Sequence, residues 1–403
     1  MPQLQYQTAG ESHGPALVTI VSGLPAGVVV DLALINGELS RRQGGYGRGG
    51  RQRIETDAVE VLSGVRRGRS TGSPVTLCIR NKDSRLDDLS RTPPVYTPRP
   101  GHADLAGSIK YLTTDCRETL ERASARETAA RVAAGALARC MLREVRVEVF
   151  GFVRSILDAA WEGEVGEENW RSLVSLRDAS EVYCPDGAEG AVTARMCEVI
   201  RKAKVDKDTV GGLVESHVFG CPPGLGSTMN WHERLDARIA AAVMGIQAFK
   251  CVEIGLGKEC SERPGSGVHD PIRFDRAKVG TPSLGFVRDT NNAGGLEGGM
   301  TNGAPVVVRG TMKPISTLLR GMPSVDLNTK AAAPSAYERS DVCAVSAASV
   351  VMENAVAFEI ARAFMEKFGG DTVEELKNNY SGFLRLAREL PHEAPMDPRT
   401  VIA

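Results

Sequence analysis

Apolar and polar positions change their period several times along the chain, and each change predicts an element. Residues 17–30, LVTIVSGLPAGVVV, are rich in β-branched side chains and broken by Gly-Leu-Pro-Ala-Gly. That pattern predicts a strand, a turn, then a second strand or the start of a helix. Strands are also expected at 57–65, 74–80, 146–154, 213–219, 251–257 and 304–312. The stretch 81–101 is rich in Asp, Arg and Pro and predicts loop.

Helical periodicity marks three long segments. SARETAARVAAGALARCML (124–142) is alanine-rich, with Ser124 and Glu127 in capping-box spacing. Residues 232–246 form a second helix, and 341–370 a third, closed by Gly369-Gly370. The third is apolar on nearly all sides as far as Glu353, which predicts a buried first half. The region 155–210, with a charged helix near 189–204, is expected as a peripheral insertion; 371–403 is expected as a peripheral helix and tail on one domain spanning 1–403.

Three short segments recur in the same order. VSGLPAGV (21–28) echoes VFGCPPGL (218–225), VEVLSG (59–64) echoes VEIGLG (252–257), and TGSPVTL (71–77) echoes TNGAPVVV (301–308). Taken together they suggest an internal duplication, two similar sheet-and-helix halves packed on one another.

Composition narrows the function class. The 403 residues carry a formal net charge of -1 and 25% charged residues, so no global field attracts nucleic acid. Nine cysteines are scattered with no CxxC pair and no metal-ligand spacing, which predicts free thiols in the cytoplasm and no metal. The N-terminal segment has no signal pattern, and no apolar run approaches the ~18 residues of a membrane span.

Against that neutral background, RRQGGYGRGGRQR (41–53) concentrates five arginines and five glycines. Glycine lets backbone approach a ligand closely, and arginine offers paired donors to phosphate or carboxylate. Gly45, Gly47 and Gly50 match G-x-G-x-x-G, but the flanks lack the strand and helix of a dinucleotide site. Two of the six histidines, His13 and His102, sit in glycine-rich turns with Glu11 and Asp104 nearby, as proton donors would. Arg122 and Arg126 surround a helix start at Ser124, Lys313, Ser316 and Thr317 follow a strand, and Arg339 and Asp341 precede the buried helix. The cations at 42, 48, 122, 126, 313 and 339 suggest a site for two multiply charged anions.

The segments GESHGPAL, RRQGGYGRGGRQRIETD, RPGHADLAGSIKY, RASARETAARVAAGALAR, NNAGGLEGG, MKPIST and RSDVCAV together resemble the chorismate synthase family, in that family's order. The resemblance implies an α+β fold, a β-α-β sandwich with sheets inside and helices outside. It implies conversion of 5-enolpyruvylshikimate 3-phosphate to chorismate, the last step of the shikimate pathway, with reduced FMN required and no net oxidation. It also implies a homotetramer. By resemblance, Arg42, Arg48 and Arg126 would hold substrate. His13, helped by Ser12, would protonate the departing phosphate, His102 would protonate the flavin, and Asp341 would assist deprotonation. Arg122, Ala123, Ser124, Gln247, Ala248, Gly298, Lys313, Pro314, Ile315, Ser316, Thr317 and Arg339 would contact FMN. Some members of the family reduce their own flavin with NADPH. No separate nicotinamide fold is visible, so an external reductant is expected. The rival readings are an RGG-type RNA-binding protein, which 5% aromatic residues disfavour, and a flavin oxidoreductase acting on another anion.

Overall fold

The computed structural model of the chain describes residues 3–50, 55–338 and 340–393. The first sheet holds β1 (Gln5–Ala9), β2 (Ala16–Ser22), β3 (Glu60–Ser63) and β4 (Val75–Arg80). Its order is β1-β2-β4-β3, antiparallel throughout. Helix α1 (Leu32–Gln43) links β2 to β3, and α2 (Asp104–Lys110), α3 (Arg117–Ala123) and α4 (Thr128–Glu144) follow β4. The second sheet holds β5 (Glu148–Ile156), β6 (Ala159–Ala160), β7 (Gly212–Phe219), β8 (Phe249–Ile254) and β9 (Val306–Met312). Its order is β8-β9-β7-β5-β6, again antiparallel. Helices α5 (Trp170–Ala179) and α6 (Ala191–Val205) precede β7, α7 (Leu235–Met244) precedes β8, and α8 (Val345–Phe368) and α9 (Val373–Arg388) come last.

The α+β class holds, but the layering is the reverse of the expected one. Helices α4 and α8 pack against each other between the two sheets, so the centre is helical and the sheets flank it. Leu17, Val21, Val75, Leu77 and Ile79 of the first sheet are buried on the α4 side. Val214, Val218, Val306 and Val308 of the second are buried towards α8. The sequence explains the reversal: a helix apolar on all sides must be covered on all sides. Small residues bring the two axes together. A Cβ added at Gly135 would sit 2.2 Å from the carbonyl oxygen of Asn354, so that crossing admits only glycine.

The two sheets share a strand order. The series β1-β2-β4-β3 matches β5-β7-β9-β8; along the chain α1 and α7 follow β2 and β7, and α4 and α8 come after β4 and β9. Within 155–210, α5 covers the outer face of the second sheet, where Phe150, Phe152, Trp170, Leu173 and Phe219 cluster. Helix α6 buries Met196 and Ile200 in the main core. Helix α9 starts at a capping box, Thr372 with Glu375, and buries Val373 and Leu376. Residues 394–403 of the expected tail lie outside the described residues. No helix among the described residues is long and apolar enough to cross a membrane.

One expected helix start moves. Ser124 is extended and caps only a short 3-10 turn, Ala125–Glu127, before α4 begins at Thr128. The capping box does not form. Glu127 is drawn instead to Arg131 Nε (2.9 Å), Thr8 Oγ1 (2.6 Å) and Gln247 Nε2 (3.1 Å).

Candidate active site

A cleft of about 490 Å³ opens where α4 and α8 begin. Thr128 at the start of α4 lines it, as do Ala344, Ala347, Ala348 and Val351 at the start of α8. One level deeper Gly135 meets Asn354, so both helices run the same way out of the cleft. Both positive helix ends therefore face it, an arrangement that favours anions. Leu120, Ile246, Ala248, Met312 and Ile315 extend the apolar wall begun by the alanines.

Opposite polarity meets that wall. Arg42, Arg48, Arg99, Arg126 and Lys313 line the cleft, against two lining carboxylates among the described residues, Glu338 and Asp341. Arg42 sits in the last turn of α1, since 41–43 belong to that helix and not to the glycine-rich loop. Its Nη2 donates to Asp57 (2.9 Å), and Arg126 Nη1 donates to both oxygens of the same carboxylate (2.7 Å each). Burial would raise the Asp57 carboxyl, but Arg42 and Arg126 outweigh it and hold it below its ordinary range. Burial, only partly offset by Asp57, lowers the Arg42 guanidinium to about 10, still charged at neutral pH. Among the described residues, Arg42 Nε and Arg126 Nη2 are buried without hydrogen-bond acceptors. Arg48 pairs with Asp341 (2.7 Å), whose other oxygen accepts from Gly49 N (2.6 Å). Lys313 has no ion-pair partner among the described residues; burial, then Lys250, lowers its pKa.

Each of the two histidines has a carboxylate on Nδ1. His13 lies 2.9 and 3.0 Å from the two oxygens of Glu121, and its backbone N donates to the same group (2.9 Å). Glu121, and not the expected neighbour Glu11, is the partner, from 108 positions away. Burial would raise Glu121, but hydrogen bonds from His13 and Arg117 outweigh it and hold the carboxyl low. His102 Nδ1 bonds Asp104, as its position in the sequence suggested, and Arg99 also clamps Asp104 (2.8 and 3.0 Å). Asp104 is likewise held well below the usual carboxylate range, its burial outweighed by those bonds.

Of the residues singled out from the sequence, the cleft gathers Ser12, His13, Arg42, Arg48, His102, Ala123, Ser124, Arg126, Gln247, Ala248, Lys313, Ile315, Ser316, Thr317 and Asp341. Ser124 Oγ donates to Ser12 Oγ at 3.2 Å. Three others stand off the wall. Arg122 turns away and donates to the carbonyls of Thr8 (2.8 Å) and Gly10 (3.0 Å). Pro314 is on the same segment as Lys313 but does not line the cleft, and Gly298 sits on a hairpin beside Thr228. Arg339 and the stretch 51–54 lie outside the described residues. Sequence reading missed Asp57, Arg99, Arg117 and Glu121. Their signal was adjacency: Asp57 ends IETD, Arg99 sits in PRPGH, and Glu121 directly precedes RASARET.

Fold and cleft together define an α+β protein with a cation-lined cleft at paired helix ends. The family profile described as chorismate synthase matches residues 4–365. The chorismate synthase of Symbiobacterium thermophilum is 51% identical over 395 residues, 94% of this chain and 98% of that protein. That of Geobacter metallireducens is 50% identical over 400 residues, 96% and 99% of the two chains. A crystal structure of a chorismate synthase matches with a TM-score of 0.76 at 38% identity, covering 96% of this chain and 99% of that one. The chain belongs to the chorismate synthase family.

Proposed function

We infer that this protein is a chorismate synthase, a lyase that eliminates phosphate from 5-enolpyruvylshikimate 3-phosphate to give chorismate. The observation that carries the reading is the convergence of Arg42, Arg48, Arg126 and two carboxylate-held histidines on one cleft. A substrate with one phosphate and two carboxylates carries roughly four negative charges, and such a group is costly to bury unless cations surround it. Arg42, Arg48 and Arg126 are the substrate clamp in this reading. Arg42 and Arg126 share one carboxylate and keep buried N–H groups for a further acceptor.

Reduced FMN is the cofactor in this reading: the alanine wall would suit a flat ring, and the helix ends with Lys313 would suit its phosphate. Ala123, Ser124, Gln247, Ala248 and Ile315 to Thr317 would hold it, with Arg339 as a further contact, whereas Arg122, Gly298 and Pro314 stand off this wall. When bound, it supplies an electron-rich ring beside the reacting carbon. With Nδ1 committed to Glu121, the His13 ring would exchange protons through Nε2, which faces Arg85 Nη2 (3.5 Å) and Asp83 Oδ2 (3.9 Å), and would protonate the leaving phosphate with Ser12 beside it. His102, fixed by Asp104, would hold a proton on the side where the flavin would bind, and Asp341, paired with Arg48, would be the acceptor. A cytoplasmic homotetramer supplied by an external flavin reductant completes the reading. The shared strand order supports descent of both halves from one β-β-α-β-β-α unit, with the cleft between their corresponding helices.

The test is anaerobic incubation with reduced FMN and the phosphorylated enolpyruvyl substrate. Chorismate absorbance should rise in step with phosphate, with flavin unchanged overall; net flavin oxidation without chorismate would refute the assignment. His13→Ala should cut turnover strongly and spare FMN binding, and undiminished phosphate release would remove His13 from the mechanism.

A further inference from the structure

We propose that Glu121 is a positioning residue for His13, fixing the ring's tautomer and orientation so that Nε2 is the proton-exchanging atom. The proposal rests on the reading of His13 as the proton donor to phosphate. Three bonds dock residues 12 and 13 on the last turn of α3. Ser12 N donates to the Glu121 carbonyl (3.0 Å), His13 N to Glu121 Oε2 (2.9 Å), and His13 Nδ1 meets both carboxylate oxygens (2.9 and 3.0 Å). An ionised carboxylate only accepts, so Nδ1 must carry the hydrogen. The carboxylate is itself held. Arg117 Nη1 donates to Glu121 Oε1 (3.1 Å), its Nη2 to Glu338 (2.6 Å) and its Nε to the Pro93 carbonyl (2.7 Å). Glu121 is 3% exposed, so little water competes for these bonds. A buried carboxylate that holds a histidine by Nδ1 sets the direction of its other nitrogen without touching substrate.

The experiment compares wild type, Glu121→Gln, His13→Ala and the double variant, each with substrate and reduced FMN under anaerobic conditions. Glutamine keeps the shape but removes the charge and can offer either an oxygen or an NH2 to Nδ1. We expect Glu121→Gln to lower kcat on the order of 10- to 100-fold. KM and FMN affinity should stay within about twofold, as for an interaction felt only in the transition state. In the His13→Ala background the same substitution should cost nothing further. The 15N NMR signals of the His13 ring should change from a single Nδ1–H form to a mixture. Unchanged kcat in Glu121→Gln, or an equal loss in both backgrounds, overturns the proposal and leaves the His13 reading standing. Wild-type turnover in His13→Ala overturns the reading itself, and the proposal with it. Should Glu121→Gln fail to fold, Glu121→Asp, which keeps the charge but shortens the reach, is put through the same cycle with the same outcomes.

Discussion

Two adjacent arginines of α1 serve opposite ends. Arg41 enters a charge-matched set: Nη1 donates to Glu38 (2.8 Å) and both Nη atoms donate to Glu353 (3.0 Å each). Arg139 joins the same two carboxylates (3.0 and 3.2 Å), and Arg177 adds Glu353 (3.6 Å) and Asp178 (2.9 Å). Three arginines thus face three carboxylates, and Asn354 Nδ2 completes Glu38 (2.9 Å). Arg42, one position on and about 100° around the helix, shares a single carboxylate with Arg126 and opens on the cleft. The difference teaches that burial of arginine does not itself mark a binding site. Matched charges lock α1, α4 and α8 together, whereas a surplus of cations at a cavity leaves room for an anion to complete the set.

The largest test of this contrast is Glu353→Ala. It removes the one carboxylate shared by all three arginines, leaving Glu38 and Asp178 to serve them, and should cost about 3–5 kcal/mol of stability, read by urea unfolding. A loss below about 1 kcal/mol would mean that the cluster is not the fastening described. Acid should attack the same cluster next. Burial would raise Glu38, but Arg139 and Arg41 outweigh it and hold its pKa at about 2, against 4.5 for the free side chain. A carboxyl lowered by folding stabilises above its unfolded pKa. Its contribution, about 3 kcal/mol, should fade as pH falls from about 4.5 to about 2, and Glu38→Gln should flatten the unfolding curve in that window.

On the open side, Arg42→Ala leaves Asp57 still paired with Arg126. It should raise the KM for substrate on the order of 30-fold, about 2 kcal/mol, with little change in stability. An unchanged KM would move Arg42 into the structural class of Arg41. The smallest effect is inorganic phosphate alone. At ten times its dissociation constant it should stabilise wild type by about 1.4 kcal/mol, seen as a rise in Tm, and Arg42→Ala less. Equal shifts in both proteins would place the anion elsewhere.

The arrangement of individual elements was largely legible. The third helix runs Val345–Phe368 and ends at Gly369, as its apolar run and paired glycines indicated. The ordered motifs pointed to His13, Arg42, Arg126 and Lys313 before any coordinate, because glycine-flanked histidines and concentrated arginines on a neutral chain are a local chemical signal. Other features were not legible. Glu127 has capping-box spacing to Ser124, yet Arg131, Thr8 and Gln247 bind it more favourably. Arg41 and Arg42 read alike in sequence, and Glu11, a neighbour in the chain, was the carboxylate expected beside His13, whereas Glu121 lies 108 positions away.

By itself, the chain's order of residues determined its period-2 and period-3.6 segments, its neutral background and its clustered cations, since each depends on neighbours a few positions apart. Tertiary structure alone decided which sheet covers each side of the buried helices and that Glu121, not Glu11, holds His13. It also decided which of two adjacent arginines meets the cleft. Those outcomes depend on burial and on partners brought together from distant positions, where the cost of an unpaired buried charge selects the contact.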